Sequence, residues 1–367
     1  MSGRSVLAVA PGKLVIAGEY AVLEPGCGAV VTAVERTVTV RAVEDGAARI
    51  RTDGGALGIA WREAGGRVAL AGESARLRFV ASALEAALCS LRMDGLCLPP
   101  FSLEIKSDLA DGAGRKLGMG SSAAVSVAVV AAVHALADTD PARRDLFRLA
   151  ALAHFAAQGN GSGADVAASV HGGWLRYDAA GLRWAQSLVA GGEQIERVTR
   201  LRWPGPDPLS MEPPSGIELG VAWTGAAFST ADALNSADRY RAACPDGYAD
   251  FLRRSRAGVS ELVDAFRRRD AAHTISVLRG ARRTLVEFGR TSGIDVEPPL
   301  LKRLADGAEA VGGAGKPSGA GGGDCAIALV PSSPRVRDAL FEQWRALGAT
   351  PLDLLGGAKG VTVSEVG

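Results

Sequence analysis

A short segment rich in glycine and serine is the first place where this chain could do chemistry. It directly precedes an apolar stretch with small side chains on nearly every face. Glycines let the backbone approach a phosphate closely, and a helix N-terminus presents unpaired amides and a positive dipole end. The serines can cap the helix, donate to phosphate oxygens or ligate magnesium. Taken alone, the loop fits a capped helix and a phosphate cradle equally well. Its residues are Gly118, Met119, Gly120, Ser121, Ser122 and Ala123.

This loop matches neither of two familiar phosphate-binding patterns. The GxxxxGK[ST] pattern of P-loop enzymes is absent, and the GxGxxG dinucleotide fingerprint fails at Ala123. If the loop binds phosphates, it therefore belongs to another class of nucleotide-binding protein.

A second glycine-rich segment, residues 312–324, reads GGAGKPSGAGGGD. A flexible linker is the plain interpretation of such a run. The segment lies between a helical pattern and the apolar strand pattern CAIALV, where a linker has little reason to be. The position therefore favours a backbone-lined cradle for an anion or substrate, to which Lys316 adds a charge.

Two charged residues, Asp165 and Lys13, have sequence neighbours that allow a functional role. Asp165 ends a glycine- and serine-rich loop. By position alone, a role as a helix N-cap is favoured over catalysis, because Asp is a preferred cap. Lys13 follows Ala10-Pro11-Gly12. A lone lysine is usually solvated, but the apolar run after this one favours a side chain held against the core.

Strand-like and helical patterns alternate through both halves of the chain, which indicates an α/β or α+β protein. A buried helix is expected at residues 121–137. Five prolines fall in residues 203–216, and proline lacks the amide that a sheet or helix interior needs. We therefore expect two domains, residues 1–205 and 206–367.

Composition excludes several classes of function. The chain has 41 Lys+Arg against 40 Asp+Glu, so it lacks the basic excess of a nucleic-acid partner. Five scattered cysteines form no metal-binding or disulfide pattern. The longest apolar run, residues 123–133, falls short of the roughly 20 residues that cross a bilayer. A cytoplasmic protein without membrane attachment is expected.

Four segments in this order resemble the GHMP kinase superfamily. They are APGKLVIAGEYAVL (10–23), GMGSSAAVSVAVVAAV (118–133), GSGADVA (161–167) and KPSGAGGGD (316–324). Within that superfamily, residues 158–174, 222–230 and 293–324 resemble the bacterial phosphomevalonate kinases. Related mevalonate kinases have a magnesium-binding glutamate at the position of His154, and histidine is a poor magnesium ligand.

The resemblance implies a fold, cofactors and site residues. An N-terminal domain like ribosomal protein S5 domain 2 would pack on a ferredoxin-like C-terminal domain, with ATP and Mg²⁺ in the cleft. Lys13 and Asp165 would be catalytic; Lys116 and residues 118–123 would bind the nucleotide; Ser122 would ligate the metal; and Glu19, Tyr20, Ser162, Ser229, Thr230, Lys316, Ser318, Gly319, Ala320 and Gly321 would bind substrate.

The expected reaction is ATP-dependent phosphorylation of (R)-5-phosphomevalonate to 5-diphosphomevalonate on the mevalonate route to isoprenoids. The alternatives are a mevalonate kinase, a diphosphomevalonate decarboxylase, or a nucleotide-binding regulator that retains the fold without turnover. Lys13, Ser122 and Asp165 together argue against the regulator, because a pure binder has little need of all three. A monomer or a homodimer is expected.

Overall fold

The computed structural model describes residues 3–53, 58–72, 77–226 and 230–366. The strands are β1 Ser5–Ala17, β2 Gly28–Val43, β3 Arg49–Thr52, β4 Ile59–Ala64, β5 Arg67–Leu70, β6 Ser102–Ser107, β7 Trp174–Asp178, β8 Leu209–Met211, β9 Ile217–Trp223, β10 Ala314–Pro317, β11 Cys325–Pro331, β12 Thr350–Pro351 and β13 Thr362–Glu365. The helices are α1 Arg78–Met93, α2 Ser121–Leu136, α3 Arg143–Gln158, α4 Ala164–His171, α5 Ala180–Ala190, α6 Ile195–Val198, α7 Thr230–Ala243, α8 Pro245–Arg267, α9 Ala271–Ser292, α10 Pro299–Ala310 and α11 Pro334–Ala346.

The larger sheet is built on two long antiparallel strands, β1 and β2. Its order is β13-β1-β2-β6-β3-β4-β5, and β7 pairs with the other half of β2 and with β8. The register between β1 and β2 shifts between Pro11 and Gly12, directly before Lys13. Such an irregularity re-aims the side chains that follow it.

Helices α1 to α4 pack with this sheet around the main core. Helix α2 is buried on nearly every face, as its small apolar residues predict. Its side chains, mostly Ala and Val, let it lie close to β1, β2 and helix α1. The start of α2 is thereby fixed against the strand that carries Lys13.

The smaller sheet has the order β10-β11-β9-β12, and a second core forms between it and helices α10 and α11. The proline-rich stretch forms β8, which pairs with β7, and the last strand β13 returns to pair with β1. Both pairings add strands from beyond residue 205 to the larger sheet. The division at residues 205 and 206 therefore stays a prediction. Within the described ranges, no helix combines the length and apolar character needed to span a membrane.

Candidate active site

The glycine-serine loop forms the N-terminus of the buried helix α2. Gly118 and Gly120 have φ angles of 75° and 77°, in the left-handed region that glycine enters without penalty. Gly120 is the N-cap, and no side chain caps the helix. The first amides of α2 therefore lack intrahelical acceptors and are available to an anion. This geometry favours the phosphate cradle over the capped turn.

Lys13 and Asp165 both lie close to Gly120. A Cβ atom placed on Gly120 would be 3.1 Å from Lys13 Cε and 3.6 Å from Asp165 Cβ. The Lys13 amide also donates to the Met119 carbonyl at 2.9 Å. Strand β1, the loop and helix α4 thus bring an ammonium and a carboxylate together at the predicted phosphate site.

Asp165 does not cap helix α4. Gly163 occupies the N-cap position, while Asp165 lies in the first turn and its Oδ1 accepts from the Val166 amide at 3.0 Å. The N-cap interpretation of Asp165 was therefore wrong. Ser162 supports this turn: its carbonyl accepts from the Tyr177 hydroxyl at 2.6 Å. Burial, and then the charge of Asp165, raises the pKa of Tyr177, which keeps the hydroxyl protonated as a donor.

The second glycine-rich segment is attached to β1 by its side chains. Lys316 lies in β10 and is fully buried, and its ammonium pairs with the Glu19 carboxylate and donates to the Pro317 carbonyl at 2.6 Å. The Ser318 hydroxyl accepts from the Val15 amide at 2.9 Å and lies 3.1 Å from the Val15 carbonyl. Lys316 and Glu19 therefore neutralise each other inside the protein.

Tyr20 holds the turn at the tip of the same segment. Its hydroxyl donates to the Ala320 carbonyl at 2.5 Å, and its ring packs 5.1 Å from that of Phe288. A Cβ atom on Gly321 would lie 2.4 Å from the Val296 carbonyl oxygen, so only glycine fits there. Ser318, Gly319 and Ala320 are half-buried, as are Gly322 and Asp324 further along the segment, so a ligand can reach them.

Ser122, the predicted metal ligand, contacts a buried histidine. His154 Nε2 lies 3.1 Å from Ser122 Oγ, and the imidazole stacks on Phe79 with ring centroids 5.0 Å apart. His154 is only 4% exposed. His154 therefore contacts the Ser122 hydroxyl from the protein interior.

Known proteins resemble this chain over most of its length. Residues 78–173 match the GHMP kinases N terminal domain, and residues 262–349 match GHMP kinases C terminal. A curated relative, "Phosphomevalonate kinase" of Streptomyces sp. (strain CL190), is 36% identical over 98% of this chain and 99% of its own length.

The chain belongs to the GHMP kinase family. Solved structures share its fold. A Lin0012 protein from Listeria innocua has a TM-score of 0.92 and 33% identity, covering 98% of this chain and 99% of its own. The Streptococcus pneumoniae phosphomevalonate kinase, solved with phosphomevalonate and AMPPNP, has a TM-score of 0.81 and 24% identity, covering 95% and 99%. The predicted GHMP kinase fold is confirmed.

In this GHMP kinase the protein oxygens at the loop fit a magnesium ion that arrives with a nucleotide. The Ser122 hydroxyl and the Asp165 carboxylate are half-buried at the cradle. The described residues contain no group of three or more His, Cys, Asp or Glu that could hold a metal. Mg²⁺ commonly takes one or two protein oxygens and completes its shell with phosphates and water. Bound there, it would neutralise phosphate charge.

The structure of this GHMP kinase adds the side chain of Asp324, which the sequence indicated only as the end of the second glycine-rich segment. It follows the last glycine of the second segment, and it lies against Gly118 of the first. Burial raises the pKa of its carboxyl group, and the charges of Lys13 and Lys116 oppose that shift. The feature of the sequence that could have pointed to this residue is a carboxylate directly after three glycines.

The substrate-binding roles predicted from the sequence all stay predictions, and two of the side chains are not described. Ser229 lies outside the described residues, and Thr230 begins α7 but its side chain is likewise not described. Lys116 is exposed on the segment that leads into the loop.

Proposed function

We propose that this GHMP kinase transfers the terminal phosphoryl group of ATP to 5-phosphomevalonate, giving 5-diphosphomevalonate. One observation carries the proposal: the 36% identity with a curated phosphomevalonate kinase extends over nearly the full length of both chains. The shared length includes both glycine-rich segments and the residues between them.

The geometry supports phosphoryl transfer, which depends on positioning and charge neutralisation far more than on covalent help. The nucleotide phosphates would bind the amides at the start of α2, with Mg²⁺ at the Ser122 hydroxyl. Lys13 and Asp165, which both lie close to Gly120, would then face the transferring group.

A phosphorylated acceptor raises the electrostatic demand on the site. Two unit charges about 4 Å apart interact by roughly 4 kcal/mol at an effective dielectric of 20. Lys13, Lys116 and Mg²⁺ are the cations that offset this repulsion. Lys316, a third candidate from sequence, contributes little because its charge is already paired with buried Glu19.

The acceptor also changes what Asp165 has to do. A phosphate monoester has a second pKa of about 6, so its attacking oxygen is already mostly anionic at neutral pH. An alcohol must instead lose a proton during attack. We therefore assign Asp165 the role of orienting Lys13, the metal or the substrate, rather than that of an indispensable base.

Coupled ADP release, measured in parallel with mevalonate, 5-phosphomevalonate and 5-diphosphomevalonate, tests the proposal. Of the three acceptors, only 5-phosphomevalonate is expected to support ADP release. Preferred turnover of mevalonate would identify a mevalonate kinase, and turnover of 5-diphosphomevalonate with release of CO₂ would identify a decarboxylase. Nucleotide binding without turnover of any acceptor would identify a regulator. A cytoplasmic location and a monomeric or homodimeric state stay predictions.

A further inference from the structure

Asp324 lies in the wall of the phosphate cradle. A Cβ atom on Gly118 would be 2.4 Å from Asp324 Cβ and 2.8 Å from its Oδ2. The backbone of Asp324 has a φ of 46°, in the left-handed region, and hydrogen bonds fix it on both sides. Its amide donates to the Ala226 carbonyl at 2.8 Å, and its carbonyl accepts from the Thr224 amide at 2.9 Å. These backbone hydrogen bonds therefore fix Asp324 beside the loop, and its short side chain keeps the carboxylate there.

The charge of this carboxylate has the wrong sign for a site that binds only phosphate. A carboxylate about 4 Å from a phosphate would oppose binding by roughly 4 kcal/mol at an effective dielectric of 20. Lys13 and Lys116 act on Asp324 as charges, without a hydrogen bond to it. The carboxylate oxygens thus remain available to a further cation.

The other groups at the loop leave a place for such an oxygen ligand. His154 contacts Ser122 Oγ but offers only nitrogen, which Mg²⁺ binds poorly. Asp165 Oδ1 accepts from the Val166 amide at 3.0 Å, so this carboxylate offers the ion at most its other oxygen. Asp324, from the C-terminal half of the chain, is the carboxylate beside Gly118, whereas Asp165 is the carboxylate beside Gly120.

We propose that Asp324 is a protein ligand of the Mg²⁺ that accompanies the nucleotide. The metal site is then shared between the two halves of the chain, with Ser122 on α2 and Asp324 directly before β11. The ion joins the halves only when phosphates complete its shell. This inference rests on the proposed nucleotide binding.

The test compares the wild type with Asp324→Asn by titration calorimetry of ADP, once with Mg²⁺ and once with EDTA. Electron paramagnetic resonance of Mn²⁺ with ADP reports the metal directly. Asparagine adopts the left-handed region readily, so the fold is expected to persist. We expect the variant to bind MgADP and MnADP at least about tenfold more weakly. Metal-free ADP should bind as well as before or more tightly, because a repulsive charge is gone.

Asp108→Asn is the matched control. Asp108 is exposed on the connection between β6 and α2, so its substitution removes the same charge from the same region. It should leave both affinities unchanged. Asp324→Gly, which the left-handed backbone also accepts, should reproduce the loss if the asparagine variant proves unstable by thermal unfolding.

The outcomes separate the inference from the proposed function. If Asp324→Asn tightens ADP equally with and without metal, the carboxylate acts only as a repulsive charge and the inference is overturned. Unchanged MgADP and MnADP affinities would overturn it as well. If the wild type itself binds no ADP under either condition, the proposed function fails first.

Discussion

At the scale of single residues, Asp165 illustrates how the acceptor determines a side chain's role. It lies in the first turn of α4, where one of its oxygens accepts from the Val166 amide, and both it and Lys13 lie close to Gly120. In an alcohol kinase a carboxylate at this place could take a proton. A phosphate acceptor is already mostly deprotonated, so the remaining role of Asp165 is to orient the reacting groups.

We predict that Asp165→Asn lowers kcat by no more than about 100-fold, the lower end of general acid–base effects. Asparagine keeps the shape and one acceptor oxygen, so the Val166 contact and the position of Lys13 should persist. The measurement is steady-state kcat with 5-phosphomevalonate from pH 5.5 to 8, with metal binding checked separately. A loss near 10⁴-fold, with fold and metal binding intact, would show that Asp165 is an essential base.

Lys116 supplies the second prediction at this scale. It is exposed, yet its charge reaches Asp324 in the cradle wall. Lys116→Met should raise the KM for ATP or for the phosphorylated acceptor by about tenfold, which corresponds to about 1.4 kcal/mol of lost attraction. Lys106→Met on β6 is the control, because it removes an equally exposed charge from the neighbouring strand. Unchanged KM values for both substrates in Lys116→Met would remove Lys116 from the site.

At the scale of elements, sequence patterns predicted α2 well and the second glycine-rich segment only in part. Helix α2 was expected at residues 121–137 and is observed at Ser121–Leu136, because a run of small apolar residues after a glycine turn leaves few alternatives. Residues 312–324 were expected to form a loop throughout. Four of them form β10, in which Lys316 is buried.

The reason for that difference is physical. A lysine in a local window indicates a solvated position, since burying an unpaired ammonium is very costly. Lys316 is buried because Glu19, nearly 300 residues away in the chain, neutralises it. Asp324 was missed for the same reason: its significance comes from contact with Gly118, which no local pattern contains.

The contact between Gly118 and Asp324 gives a prediction about the loop as an element. Gly118→Ala should destabilise the fold by at least about 1–2 kcal/mol, because alanine disfavours the left-handed region. The added methyl group would also displace Asp324 and weaken nucleotide binding. Gly112→Ala, on the same connection, is the control and should be close to neutral, because an added Cβ there would meet no atom within 4 Å. Thermal unfolding and ADP affinity measure the two effects; equal behaviour of the two variants would contradict the described loop geometry.

At the scale of the whole molecule, the C-terminal half contacts the N-terminal half along β1 and the phosphate loop. Ser318 pairs with the backbone of Val15, and Tyr20 donates to Ala320. The Cys325 thiol donates to the Leu117 carbonyl at 3.0 Å, and burial raises the pKa of that thiol to about 12, so it remains protonated. The cradle is therefore assembled from both halves, and its shape depends on their docking.

The buried Glu19–Lys316 pair is the part of this contact that can be tested most sharply. Lys316→Met should cost about 3–5 kcal/mol, because it leaves the Glu19 carboxylate buried without its partner. The double variant Glu19→Gln with Lys316→Met should regain most of that loss, since two neutral groups of similar size need no charge compensation. Lys302→Met, which breaks an exposed ion pair with Asp306, is the control and should cost less than about 1 kcal/mol. Urea unfolding of all four variants, including Glu19→Gln alone, gives the coupling energy. A double variant as unstable as the sum of the singles would show that the two charges do not interact, and that another contact holds the glycine-rich segment on β1.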